Sequence, residues 1–382
     1  MSSADLPAVL VVGAGLIGRA TAYYLARAGA RVQIVDADPD PSLTSRASLG
    51  VLSHVNGRDD ALGSFYRDAH ALQADLAGQL RRETDLEVGW WAPGGLDLIA
   101  TEEEEAEARQ TFEFNRERGC PVEWVQGDQL RELEPGVGDG FGGALYFPGD
   151  HRVDPEALGA ALLAAARQLG AEVELGAEVT ALEPGPAGTV TAQVRRRVGD
   201  AAPMGADRVV LAAGAWSERL MMGAGPDEAA VRPIRGQQAR FRGAAVPRHI
   251  LRHGGFHAVP LAPPDGSTAE PPGSRTVLVG ATVEEVGFEA EVTAAAGADF
   301  AAALDSMLGP GQVLVEQRAG LRPKPRKGRP VIGPLPGCEQ VIAATGHYKS
   351  GVLMAPLTGQ VVAQWALTGS PDRDMTHFAV HR

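Results

Sequence analysis

Apolar positions along the chain change period at intervals, and the changes outline its elements. Residues 9–12 are apolar without a break, the pattern of a strand buried on both faces. Helical spacing takes over from about 16 to 28, Gly29 ends it, and residues 31–35 form a second strand that closes on Asp36. Phe65, Ala69, Leu72, Leu76 and Leu80 then fall on one side of a helix over 65–82. A short strand over 95–100 leads into Thr101, where Glu104 completes a capping box, so the acidic run 102–105 reads as the solvated start of a helix. Trp124 lies in another short strand, and residues 135–150 read as a glycine-rich loop.

Asp154 as N-cap and Pro155 at the first helical position open a further helix, which Gly170 ends. Strands over 171–175, 178–182, 189–197 and 208–213 follow, the last of them apolar and closed by Gly214. From 232 to 281 the pattern is that of alternating strands, broken at 261–274 by a Pro-, Gly- and Ser-rich insert expected as an exposed loop. A helix over 294–308, a strand over 340–344 and a helix over 356–367 complete the chain. The fold expected is α/β with an α+β second domain. A Rossmann-like nucleotide domain (1–85, 149–232, 319–382) is interleaved with an antiparallel-sheet substrate domain (86–148, 233–318).

Between the first strand and the first helix stand Gly13, Gly15 and Gly18, with the spacing G-x-G-x-x-G. The first permits a tight turn, the second lets a pyrophosphate approach the backbone, and the third lets helix and strand pack closely. Phosphate then meets the N–H groups that open the helix at Leu16 and Ile17. Asp36 lies eighteen residues past Gly18, where an acid can hold a ribose hydroxyl. The adenosine of NAD or of FAD fits equally well, whereas the acid would repel the extra phosphate of NADP. The loop after Asp36 stays close to the nucleotide, so Ala37, Ser45, Arg46, Ser48 and Leu49 are candidate contacts.

The 382 residues suffice for about two domains. A formal net charge of −13 speaks against nucleic acid or an anionic membrane as partner, and no stretch is long and apolar enough to span a bilayer. Two cysteines, Cys120 and Cys338, make no disulfide framework, which points to a reducing compartment and hence the cytoplasm. No metal-ligand spacing is present, and a homo-oligomer is compatible with the sequence without being required by it.

Several segments resemble the glycine oxidases of the D-amino-acid oxidase superfamily. They are VDPEALGAAL (153–162), AAGAWS (212–217), VGATVEEVGFEAEVT (279–293), GLRP (320–323), RPVIG (329–333) and ATGHYKSGVLMAPLTGQ (344–360). The resemblance implies non-covalent FAD. Asp36 would hold its ribose, Ser45 and Arg46 the pyrophosphate region and Val179 the adenine, with Ala213, Gly214 and Trp216 nearby. The loop of Gly346, His347, Tyr348, Lys349, Ser350, Gly351, Val352 and Leu353 would offer backbone N–H groups to the flavin. Related sarcosine oxidases attach the flavin to a cysteine beside the position of Gly320, and this chain has none there.

Arg322, between a strand end and a proline, is suited to a bidentate grip on a substrate carboxylate. Two departures from the family pattern bear on the substrate. Lys349 stands where arginine is usual, and His257 where a pocket tyrosine is usual. With Lys324 also close in sequence to Arg322, the cations point to an N-substituted glycine carrying a second carboxylate, oxidised by hydride transfer with dioxygen as acceptor and no obligatory catalytic acid or base. His54, His253, His257 and His347 are candidates for tuning the amine's protonation. The competing readings are a D-amino-acid or sarcosine dehydrogenase that reduces a quinone, a tRNA-modifying oxidase, and a non-enzymatic nucleotide-binding module.

Overall fold

The apolar run at the N-terminus becomes the centre of a six-stranded sheet in the computed structural model. This structure describes residues 6–380 apart from 42, 54–57, 186–187, 198–200, 222–229, 244 and 262–275. The sheet order is Val331–Leu335, Cys338–Thr345, Arg208–Leu211, Ala8–Val12, Arg31–Asp36, Glu172–Leu175, and every pairing is parallel except that of the first two. Successive side chains of the central strand point to opposite faces. Val9 and Val11 therefore pack against the helices Leu16–Arg27, Ala61–Thr84, Pro155–Gln168 and Gly351–Thr368. Leu10 and Val12 pack instead against the three-stranded sheet of Ala177–Pro184, Val190–Arg196 and Met204–Ala206. Burial on both faces is why the run is apolar throughout.

The second large sheet has eight strands: Val313–Pro325, Val231–Arg242, Thr276–Gly280, Phe256–Pro260, Ile250–His253, Gly95–Ile99, Gly143–Phe147 and Glu123–Gln126. The helix Ala294–Leu308 covers it, burying Phe300, Leu304 and Met307 against Val277, Val279 and Phe241. Thr101 caps the helix Glu102–Glu117 in the expected capping box, with Glu104 as its third residue. Asp154 caps Pro155–Gln168 through hydrogen bonds from the backbone of Glu156 and Ala157.

Three expectations need correction. Residues 135–150 are not all loop: the apolar Gly143–Phe147 pairs with strands on both sides, and the glycines around it concealed the run. The strand Val313–Pro325 is thirteen residues long, pairs with Val231–Arg242 along its length, and crosses residue 319, where a domain boundary was expected. The last helix starts at Gly351, five residues before Pro356, so the proline is inside it. A proline there cannot donate to the carbonyl four residues back, which is that of Val352. The buried Gln73 supplies the missing donor, with Nε2 donating to the carbonyls of Val352 (3.1 Å) and Leu353 (2.9 Å). Gln73→Leu is expected to lower stability by about 1–3 kcal/mol, read as a shift of the urea midpoint, because it strands a buried acceptor. The insert at 261–274 lies, beyond Leu261, outside the described residues, as does His54.

Candidate active site

The carboxyl ends of the central parallel strands open into a cavity of about 1110 Å³ that continues beneath the eight-stranded sheet. One end is the glycine loop. Gly13 has φ +105°, and a β-carbon on it would run into the Ala212–Ala213 backbone. Gly18 lies against the carbonyl oxygen of Gly13, with no room for a β-carbon. Gly15 has nothing within 4 Å of where its β-carbon would be, and no side chain caps the helix Leu16–Arg27 that it precedes. Asp36 accepts hydrogen bonds from the backbone of Ala14 (2.7 Å) and Asp38 (2.8 Å), so the acid also shapes the loop. Burial raises its pKa above the usual carboxylate value, opposed by those two hydrogen bonds.

Most expected contacts line this cavity: Gly13, Gly15, Leu16, Ile17, Asp36, Ala37, Ser45, Ser48, Leu49, Val179, Ala213, Gly214, Trp216, His257, Arg322 and residues 347–353. Four do not. Gly18 is within the helix Leu16–Arg27, on the face turned to Gly13 and Val11. Arg46 turns away and pairs with Asp40 at 2.7 Å, although its backbone carbonyl accepts from Gln238 (3.3 Å). Gly346, at φ +77°, is a turn packed on Pro325, Pro330 and Val231. Lys324 pairs with Glu285 at 3.8 Å. The sequence reading also missed lining residues, among them Thr44, Arg195, Arg197, Arg219 and Gly236. A glycine in the middle of the alternating strand RPIRGQQARF was the available signal for Gly236, since such a glycine often marks a close approach.

At the far end of the cavity Arg322 lies across the neighbouring strand above Gly236, and its Nη1 donates to the carbonyl of Thr282 at 2.8 Å. Burial lowers its pKa, partly offset by Tyr348 and Glu284. Tyr348 adopts φ +48°, its N–H donates to the carbonyl of Pro323 (3.1 Å), and the Nζ atoms of Lys324 and Lys349 both stand 5.6 Å from its ring centre. Lys349 is exposed at the cavity; partial burial and the charges of Arg322 and Lys324 lower its pKa. The carboxylates among the described lining residues are Asp36, Asp38 and Glu178, all on segments next to the glycine loop or the strand Ala177–Pro184.

The histidines part company. His253 is outside the cavity lining and meets Glu104 at 3.1 Å. His257 lines the cavity, and burial together with the charges of Arg252 and Lys349 pulls its pKa down to about 4. His347 is buried with Nε2 3.1 Å from Thr358 Oγ1, and burial lowers its pKa to about 3. Both rings are neutral at pH 7. A histidine held neutral in the native state is charged first in the unfolded chain, so acid favours unfolding. Stability is expected to fall as pH drops from about 6.5 towards 3, with His347 alone accounting for about 2 kcal/mol between pH 7 and 5. Thermal melts of His347→Gln should show a correspondingly shallower pH dependence.

A mostly parallel sheet of the dinucleotide-binding kind is joined by one cavity to a cationic pocket under the eight-stranded sheet. That second sheet is not wholly antiparallel as expected, since Ile250–His253 and Gly95–Ile99 pair in parallel. The arrangement is that of a dinucleotide-dependent enzyme. The chain belongs to the DAO family of FAD dependent oxidoreductases, whose pattern matches residues 8–365. It is 30% identical to the glycine oxidase of Geobacillus kaustophilus (strain HTA426) over 383 residues, covering 98% of this chain and 96% of that one. The crystal structure of glycine oxidase from Geobacillus kaustophilus superposes with a TM-score of 0.88 at 28% identity, over 98% of each chain. That of iminodiacetate oxidase from Chelativorans sp. BNC1 gives 0.82 at 25% identity, over 97% of this chain and 98% of that one. The protein is thus a glycine oxidase-like member of the D-amino-acid oxidase superfamily, and its cofactor is FAD.

The residues present suit that cofactor. Gly15 and the uncapped helix start leave space and N–H donors for a pyrophosphate, and Asp36 stands at the strand end for the ribose. Gly320 lines the cavity, and neither Cys120 nor Cys338 does. Among the described residues no helix is long and apolar enough to cross a membrane.

Proposed function

We propose that the protein is an oxidase of carboxymethylamines, taking glycine or, preferentially, an N-substituted glycine whose substituent bears a second carboxylate. The observation that carries this reading is charge placement. Arg322 and Lys349 line one end of the cavity, and the carboxylates of the described lining belong to segments around the other. A dianionic amine complements that end, whereas a cationic one does not. The likeness to an iminodiacetate oxidase supports the same choice.

Arg322 holds the α-carboxylate through its planar fork, and its bond to Thr282 fixes the rotation of that fork. Lys349, a movable point charge, meets the distal acid. His257 stays neutral and adds no positive charge beside the amine, which must itself be neutral to react. The Gly13–Gly15 turn, the N–H groups of Leu16 and Ile17 and the Asp36 carboxylate would hold FAD, which when bound would supply the acceptor for the hydride on the carbon α to the amine and the route of those electrons to dioxygen, with hydrogen peroxide as product. The imine so formed is hydrolysed by water to glyoxylate and the free amine.

Peroxide production over glycine, sarcosine, D-alanine and N-carboxymethyl amino acids tests the reading. The dicarboxylic amines should be preferred, and Lys349→Gln should reduce that preference about tenfold, as expected for one charge-assisted contact of roughly 1.5 kcal/mol. Equal turnover of amines with and without the second acid would remove the dianion from the proposal. Amine-dependent reduction of a quinone without peroxide would replace oxidase by dehydrogenase.

A further inference from the structure

Arg322 does not project straight from its strand into the cavity. In the pairing register it stands opposite Ile234, and Gly236 stands opposite Gly320. The side chain of Arg322 nonetheless lies over Gly236, so closely that a β-carbon built there would overlap Cζ, Nη1 and Nη2 of the guanidinium. Gly236 lies in extended backbone that any residue adopts, so the glycine is needed for space alone. The guanidinium plane rests on the backbone of the strand Val231–Arg242.

The rotation of the guanidinium is set from beside the same strand. Thr282, whose carbonyl accepts from Arg322, is docked on Gln237: Gln237 N donates to Thr282 Oγ1 (2.9 Å), and Thr282 N donates to the carbonyl of Gln237 (3.3 Å). Two residues on, Glu284 and Arg235 exchange backbone hydrogen bonds of 2.9 and 3.0 Å. The Glu284 carboxylate also accepts from Arg235 Nε (3.1 Å), Gln237 Nε2 (2.8 Å) and the Thr282 hydroxyl. Gln237 is fully buried, and its Oε1 accepts from the backbone of Thr293 (2.7 Å) and from Gln317 (3.0 Å). This network orders residues 282–284, and through them the Thr282 carbonyl that the Arg322 side chain meets.

We propose that Gly236 is a positioning residue: it is the platform that sets the height of the Arg322 fork in the cavity, and so the position at which a substrate carboxylate is held. Any side chain at 236 lifts the fork towards the reacting end and misplaces the carbon that must lose its hydride. A misplacement of about 1 Å is enough to slow a reaction roughly a hundredfold. The proposal rests on the carboxylate-binding reading above and assigns to that site a residue that acts through the Arg322 guanidinium.

The test is calorimetric titration of the FAD-loaded protein with acetate and with oxydiacetate, a dicarboxylate that has no amine to oxidise, in wild type, Gly236→Ala, Arg322→Lys and the double variant. Gly236→Ala should weaken carboxylate binding ten- to a hundredfold with FAD content and melting temperature unchanged, and its loss of kcat should exceed that of a plain binding defect. In the Arg322→Lys background, where no planar fork rests on the glycine, the same substitution should weaken binding less than threefold. Equal losses in both backgrounds, or wild-type affinity in Gly236→Ala, overturn the proposal. Should Gly236→Ala not fold, Arg322→Ala serves: free guanidinium should restore acetate binding and ammonium should not, and equal rescue by both would overturn the platform. A wild-type protein that binds acetate through Arg322 yet oxidises no amine would defeat the amine-oxidase reading and leave Gly236 to be judged on the titrations. Wild type that binds neither acid overturns both.

Discussion

Replacing Arg322 by leucine is expected to lower kcat/KM for carboxymethylamines by roughly 30- to 5000-fold while leaving the fold as stable as before. Losing one partner of a desolvated, hydrogen-bonded charge pair costs about 2–5 kcal/mol, which sets the range. The stability half of the expectation follows from the residue's surroundings. Its one side-chain hydrogen bond among the described residues goes to the neutral carbonyl of Thr282, and burial depresses its pKa. A partly desolvated cation with no carboxylate bonded to it does little for the fold, so leucine removes a strain on the free protein and a ligand contact at the same time. Contrast Arg252, partly buried and pairing with both Asp97 and Asp150, whose pKa desolvation would lower but those acids raise. Loss of Arg252 should destabilise by about 3–5 kcal/mol. Steady-state kinetics together with melting curves separate the two cases, and a large drop in melting temperature for Arg322→Leu with normal kinetics would assign it to the structure alone.

What was legible in the sequence follows from where information is local. The turn at Gly13, the helix start at Leu16, the acid at Asp36 and the caps at Thr101 and Asp154 are each set within a few residues, and each was readable. The strand Gly143–Phe147 was hidden because its glycines resemble loop, although the sheet it joins supplies its pairing. Pro356 misplaced a helix start because the donor that compensates for it, Gln73, is on another helix. In the site, the resemblance pointed to Arg322 and Lys349 but grouped Lys324 with them. Lys324 is two positions from Arg322 in sequence, yet it pairs with Glu285, about forty positions away, and lies outside the lining. Gly236 was overlooked for the same reason: its role is defined by a side chain eighty-six positions later.

The glycine loop yields the second large effect, and it separates the two different jobs that the sequence motif gives Gly15 and Gly18. Gly18→Val should give no folded protein. Its side chain would be driven into the carbonyl oxygen of Gly13, which is backbone in a turn of φ +105° already pressed against Ala212, so no neighbour can yield. Gly15→Val should fold, because Gly15 has φ −70° and ψ −178°, which any residue adopts, and open space where its β-carbon would lie. That space is the cavity in front of the helix Leu16–Arg27, where a pyrophosphate would need the backbone N–H groups. The isopropyl group would fill it, so the variant should be soluble, helical by circular dichroism and colourless, while wild type is yellow. The smaller Gly15→Ala should retain some flavin and lose it on dialysis. A yellow Gly15→Val with wild-type flavin content would show that the phosphates do not pass over this glycine. Well-folded Gly18→Val would show that the helix can slide along the strand, against the close contact between Gly18 and the Gly13 carbonyl.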